Sequence, residues 1–217
     1  MKILIAYLEE DEKLRRCLDS LKKHSPEIEV LKFKIDKSKT KICEEIFSEE
    51  IDKIDDDVMI WHPDMIALPN WYEELKKYYD KFDVIGTKLV YPDSSIQHFG
   101  GAIRVNGWGF HPFQHALDIE LDEPVKCAYV TGPGTVIKKS VWEKVKWDLS
   151  FTYFIDVDFC FQAREAGFTV GVVPVKIVHE EGLDMLKARP KYVTKQLMDE
   201  SYAKFTAKWM HKLSDYR

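Results

Sequence analysis

Cysteine is scarce in this chain of 217 residues and never paired in spacing: Cys17, Cys43, Cys127 and Cys160 lie far apart with no C-x-x-C. That excludes a recognisable zinc ribbon and gives no disulfide framework. Reduced, mostly buried thiols of a cytoplasmic protein are the expectation. Long apolar runs are missing as well. The apolar start at residues 3–7 is too short for a signal peptide and charged residues follow it at once. No stretch approaches the roughly 18 apolar residues of a membrane span. The expectation is a soluble protein with no transmembrane segment, for which a membrane surface is a compatible place of work. Nor is there a basic stripe with interleaved aromatics, and the net charge is −5, which argues against nucleic acid as the main partner. Internal repeats, low-complexity segments and linkers are absent, so residues 1–217 read as one domain.

What is present suits a packed core: 45% hydrophobic and 13% aromatic residues, at a length that buries one well-covered α/β core. Residues 3–7 read as a buried strand, and residues 12–23 as a helix with Leu14, Cys17, Leu18 and Leu21 at helical spacing. A strand at 29–35, a helix at 41–54 (Ile42, Ile46, Ile51, Ile54), a strand at 58–61 and a helix opened by Pro69 follow, then a strand from Val84. This alternation predicts a mostly parallel, Rossmann-type sheet with helices on both faces. The second half is less regular. It reads as a strand-pair region at 95–105, giving a small antiparallel element, and an aromatic loop at 106–114. A strand at 128–138, interrupted at 131–134, and a short helix capped by Ser140 come next. A helix at 156–166 is ended by Gly167, with strands at 168–173 and 175–178 beyond it. Val193, Leu197, Tyr202, Phe205, Trp209 and Leu213 predict a C-terminal amphipathic helix over 192–213.

In a parallel α/β sheet, ligands bind at the carboxyl ends of the strands. Asp64, just past the third strand in Trp61-His62-Pro63-Asp64, is placed to hold a hard cation, although a loop aspartate after a strand more often serves as a turn or cap residue. Asp156 and Asp158 stand two apart between apolar neighbours at a helix start; capping explains one acid but does not require the pair. Side chains two apart at a helix start point about 200° from each other, so only one of them can face a ligand. Phe154 and Ile155 give Asp156 a partly apolar setting that raises a carboxyl pKa. His179, after the apolar strand, is a further candidate, against the commoner structural role of a lone histidine. In the loop bearing Trp108, Phe110, His111, Phe113 and His115, packing is the simpler reading and a sugar-stacking platform the other. Pro112 and Gly109 argue against a helical His111/His115 metal pair.

The order of these segments resembles family 2 glycosyltransferases of the GT-A fold, particularly the rhamnosyltransferase-like branch. The likeness runs over DVMIWHPD at 57–64 with Leu68-Pro69-Asn70-Trp71, GTKLVYPDSSIQHFGG at 86–101, the stretch from Val130-Thr131-Gly132 to Lys139, residues 154–167, and the Pro174 to His179 strand. The resemblance implies a sugar moved from a nucleotide-diphosphate donor (UDP-, dTDP- or GDP-linked) to a saccharide or other hydroxyl acceptor, in polysaccharide or glycoconjugate synthesis, with inversion. It implies Asp156 as the base and a divalent ion beside Asp64 and His179; Mn²⁺ or Mg²⁺ fits, the imidazole favouring Mn²⁺. A cation also suits a diphosphate bound by an acidic protein. Tyr7, Asp36 and His62 fall on the nucleotide side, and Gln97, His98, Trp108, Thr131, Gly132 and Asp158 on the acceptor and sugar side. His62 stands where such families usually place the first acid or Asn of a D-x-D-like motif, and Ile155 replaces their usual Glu. Two other readings remain: a non-catalytic nucleotide-sugar or sugar-binding module of the same fold, and a nucleotide-sugar nucleotidyltransferase, whose Gly-rich first loop is missing from LEEDEK at 8–13.

Overall fold

The computed structural model describes residues 1–36, 43–117, 121–180 and 191–216. Its first half runs β1 (Lys2–Tyr7), α1 (Glu12–His24), β2 (Val30–Lys34), α2 (Cys43–Ile51), β3 (Val58–Trp61), β4 (Met65–Ala67), α3 (Trp71–Tyr78) and β5 (Val84–Val90). The second half holds β6 (Ile96–His98), β7 (Ala102–Ile103), β8 (Gly109–Phe110), β9 (Val125–Lys126), β10 (Val136–Ile137), α4 (Lys139–Trp142), α5 (Ile155–Glu165) and β11 (Val170–His179). It closes with α6 (Lys191–Trp209), which tightens into a 3₁₀ turn at Met210–Tyr216.

The main sheet has the order β2-β1-β3-β10-β5-β11-β4, with β6 added beside β5 and β9 beside β11. β2, β1 and β3 are parallel, as are β5 and β11; the short β10 lies antiparallel between β3 and β5. β7 and β8 form a separate two-stranded antiparallel sheet. The expected fold class therefore holds: a mostly parallel sheet flanked by helices, with a small antiparallel element. Alternation along β1 shows how both faces are filled. Ile3, Ile5 and Tyr7 join a core under α1 and α3, while Leu4 and Ala6 point into the core shared with α2, α5 and α6. β5 is buried at all seven positions, as befits a strand covered on both faces.

Several local expectations change. β4 was not foreseen: three residues are too few to show an alternating pattern, and the strand exists through its pairing with β11. Pro69 lies in the turn before α3, whose cap is Asn70 in the left-handed region. Ser140 is inside α4, and Lys138 is its cap. Of the strand expected at 128–138 only Val136–Ile137 becomes a strand, with Tyr129 joined to Gly101 by an isolated bridge, whereas the two strands expected at 168–178 are one, β11, carrying an irregularity between Val173 and Lys176. Ile42 lies outside the described residues, as does the side chain of Val193. The buried face of the last helix is narrower than expected: Ser201, Phe205 and Trp209 at i, i+4 and i+8, continued by Leu213 and Tyr216 in the 3₁₀ turn. Among the described residues no helix is long and apolar enough to cross a membrane.

Candidate active site

Asp64 and His179 are 179 − 64 = 115 positions apart, and the sheet brings them together. The chain leaves β3 through a turn in which Met65 N–H donates to the His62 carbonyl at 3.1 Å, then enters β4. β4 runs antiparallel to the end of β11 with Met65 opposite His179, and Glu180 N–H closes the ladder on the Asp64 carbonyl at 3.0 Å. In consequence His179 Nε2 lies 3.3 Å from Asp64 Oδ1, and the His62 ring stands edge-on to His179 with centroids 5.5 Å apart. One donor atom from each of His62, Asp64 and His179 falls within 4.8 Å of the others. Asp64 and His179 are buried. Burial, and secondly the neighbouring His179, push the His62 pKa down to about 4 against the pull of Asp64, so this imidazole is neutral with a free lone pair at neutral pH.

The donor set fits a divalent transition ion. Metal–N and metal–O bonds of about 2.0–2.2 Å put neighbouring ligand atoms roughly 3–4 Å apart, the scale of this cluster. The supporting contact fits too. His179 Nδ1 donates to Gln97 Oε1 at 2.6 Å, which orients the ring and turns Nε2 toward Asp64. An imidazole nitrogen and a carboxylate oxygen at that distance suit a shared cation. The Gln97 Nε2 group of this amide is buried with no hydrogen-bond partner among the described residues; the glutamine therefore serves the histidine at the expense of its own amino group.

His62 also lines a cavity of about 210 Å³ whose opposite wall is the start of α5. Asp156 reaches into it. Burial raises the Asp156 pKa to about 6, and Glu44 adds to the rise, against hydrogen bonds from backbone N–H groups that include Val157 and Gly132. Phe47, Trp147 and Phe159 form an apolar floor, and Thr131, Gly132, Thr152 and Tyr153 supply the polar rim. The sequence-expected direction of the Asp156 shift is found here, and its size makes the carboxylate a stronger base than an exposed one.

Asp158 takes no part in the cavity. It is fully buried, and its carboxylate accepts from Trp209 Nε1 at 2.6 Å and Gln162 Nε2 at 2.7 Å while pairing with Lys208 Nζ at 2.8 Å. The expectation that it meets an acceptor is corrected to an internal role: helix geometry turns it away from Asp156 and onto α6. Thr131 and Gly132 do line the cavity. Gln97 belongs beside His179, and His98 is buried in a pair with His111, Nδ1 to Nδ1 at 2.7 Å, while its Nε2 accepts from Thr131 N–H at 3.4 Å. Trp108 stacks on Tyr202 with centroids 4.6 Å apart and touches Phe154 at 5.7 Å, next to the rim. Tyr7 ends β1 and donates to Glu10 at 3.2 Å, and Asp36 is exposed two residues past the end of β2; neither lines the cavity. Sequence reading missed Glu44 and Tyr153. First-turn acids of a helix are common, and nothing local announces that α2 faces α5.

No protein-family model matches the chain. A Sinorhizobium fredii protein described as uncharacterized protein y4gI is 30% identical over 129 residues, 54% of this chain and 14% of that protein. Among solved structures, GalNAc-T7 with UDP, GalNAc and Mn²⁺ superposes with a TM-score of 0.70 at 14% identity, covering 99% of this chain and 50% of that one. S. aureus TarS 1-349 does so with a TM-score of 0.54 at 11% identity, over 98% of this chain and 74% of that one. The chain thus spans about half of the GalNAc-T7 chain and a small part of its curated relative. Both solved structures are GT-A glycosyltransferases, and the fold of this chain is GT-A-like.

Proposed function

We propose that the chain is a metal-dependent, inverting glycosyltransferase that moves a sugar from a nucleotide-diphosphate donor to a hydroxyl acceptor. The observation that carries the reading is a single cavity with His62 of the His–Asp–His cluster on one wall and the raised Asp156 carboxylate on the other. A divalent ion, when bound, supplies positive charge against a diphosphate leaving group. His62, Asp64 and His179 are the residues to hold it, with Gln97 orienting His179. Asp156 accepts the acceptor's hydroxyl proton as the acceptor oxygen forms its bond to the anomeric carbon. The bond from that carbon to the diphosphate oxygen breaks in the same displacement, its electron pair leaving with the nucleoside diphosphate. One carboxylate suffices for such a displacement, and attack opposite the leaving group inverts the anomeric centre. GalNAc-T7, which shares the fold, was crystallised with UDP and Mn²⁺, and that supports a nucleotide donor and a metal here. The sequence resemblance adds a rhamnosyltransferase-like deoxyhexose among the sugars to try.

The experiment is a screen of UDP-, dTDP- and GDP-linked sugars with Mn²⁺, with Mg²⁺ and with EDTA, reading release of the nucleoside diphosphate. Metal-dependent release from one donor, lost in Asp64→Ala, is expected. Binding of a donor with no turnover under any metal would favour a binding module instead.

A further inference from the structure

Two helices in this fold begin in the same unusual way. α3 and α5 each have a cap residue in the left-handed region with no side-chain cap hydrogen bond: Asn70 at φ 61° and Phe154 at φ 65°. Asparagine visits that region readily. A phenylalanine pays roughly 1–2 kcal/mol for it and stays there only when its surroundings over-determine the turn.

Those surroundings come from α6. The Ser201 hydroxyl, buried at 3% exposure, accepts two backbone N–H groups, those of Thr152 and Tyr153, each at 3.2 Å. One turn on, Phe205 stacks on the Phe154 ring with centroids 5.1 Å apart. One turn further, Trp209 and Lys208 bind the Asp158 carboxylate. α6 therefore grips the chain on both sides of Asp156, at 152–154 and at 158.

We propose that this face of α6 is a positioning device: Ser201 and Phe205 hold the left-handed turn at Phe154 that aims the Asp156 carboxylate into the cavity. The inference rests on the reading of Asp156 as the base. Ser201 is a positioning residue, since it acts through the backbone of Thr152 and Tyr153. Without its hydroxyl, two amide donors lose their acceptor and the Phe154 strain relaxes toward an ordinary helix start. The carboxylate then leaves its apolar setting, while Glu44, His62 and Tyr129 around it stay outside α5 and Cys160 shares that helix.

The test compares Ser201→Ala with Ser201→Thr, which keeps the hydroxyl, in wild-type and Phe154→Gly backgrounds. Glycine enters the left-handed region freely, so the clamp loses its purpose there. Two signals are read: ¹³C NMR titration of the Asp156 carboxyl, which needs no turnover, and the split of sugar transfer into kcat and KM. Thermal melting identifies folded samples. Ser201→Ala is expected to move the Asp156 titration down toward the ordinary carboxyl range and to lower kcat by about 10- to 100-fold, with KM within about twofold. Ser201→Thr should retain both signals, and Ser201→Ala should add little in Phe154→Gly. A folded Ser201→Ala with unmoved titration, or an equal effect in both backgrounds, would overturn the proposal. A shifted titration in a protein that transfers no sugar with any donor would leave the clamp standing and remove the assigned function.

Discussion

His62, which lines one wall of the cavity, and Asp64 and His179 beside it are placed by backbone: a turn after β3, a three-residue strand, and the antiparallel register that sets Met65 against His179. On the opposite wall Asp156 is placed by side chains, through a left-handed phenylalanine and a helix from the far end of the chain. The difference has a physical basis. A sheet ladder fixes its residues by repeated hydrogen bonds that tolerate side-chain change, so the metal end depends on few identities beyond the ligands. The base end depends on many identities spread over 50 positions, as the contact from Asp158 to Trp209 at a sequence separation of 51 shows. Substitutions remote from the cavity should therefore damage the base end far more than the metal end.

The largest effect expected outside the chemistry is at Asp158. Its carboxylate is fully buried and serves Lys208, Trp209 and Gln162. Asp158→Ala should cost about 3 kcal/mol, because breaking a buried pair strands a charge and an indole N–H. Lys208 keeps partial access to water, which holds the loss at the low end of that class. Chemical denaturation of the variant checks this, and Mn²⁺ affinity of the folded fraction should be unchanged. Next comes Gln97→Ala, which leaves the three candidate ligands intact but frees the His179 ring. Loss of such a supporting contact typically weakens metal binding by about 10- to 100-fold, measurable by Mn²⁺ electron paramagnetic resonance, while Tyr91→Phe, just past the end of β5, should have no effect on affinity.

The smallest effect is on stability against pH. The folded Asp156 pKa of about 6 lies above its ordinary value of 3.8, so the folded state binds more protons than the unfolded state between those values. Stability accordingly falls as pH rises from about 4 to 6 and stays lower above, by an amount of order 1 kcal/mol for a half-buried group. Asp156→Asn removes that penalty, so its stability should hardly change across the window. Melting curves from pH 4 to 7 for the two proteins test the sign. An opposite slope attributable to Asp156 would mean that its carboxylate is stabilised, and that it is not set up as a base.

Asp64 and His179 were legible in the sequence as candidate metal residues, because each directly follows an apolar strand, whereas His62, read on the nucleotide side, joins them in the candidate cluster. The short β4 and the Gln97–His179 contact were not legible, since both arise from pairing between segments distant in sequence. Asp156 was legible as a candidate: helix geometry lets only one of Asp156 and Asp158 face a ligand, and the family resemblance selects Asp156. Which of the two faces the cavity depends on packing against α6, and the same packing narrowed the apolar face expected on that helix to Ser201, Phe205 and Trp209. Glu44 stayed hidden for a related reason: only the fold of α2 over the cavity turns an ordinary first-turn acid into a neighbour of Asp156.

The most direct test of the account is single-turnover sugar transfer by Asp156→Asn at saturating donor and Mn²⁺, with Mn²⁺ and donor affinity measured on the same sample. The substitution keeps shape and hydrogen bonding and removes basicity. The expected result is transfer lowered by about 10²–10⁴-fold, the usual worth of a general base, with both affinities within about twofold of wild type. Transfer by folded Asp156→Asn at near the wild-type rate would contradict the account.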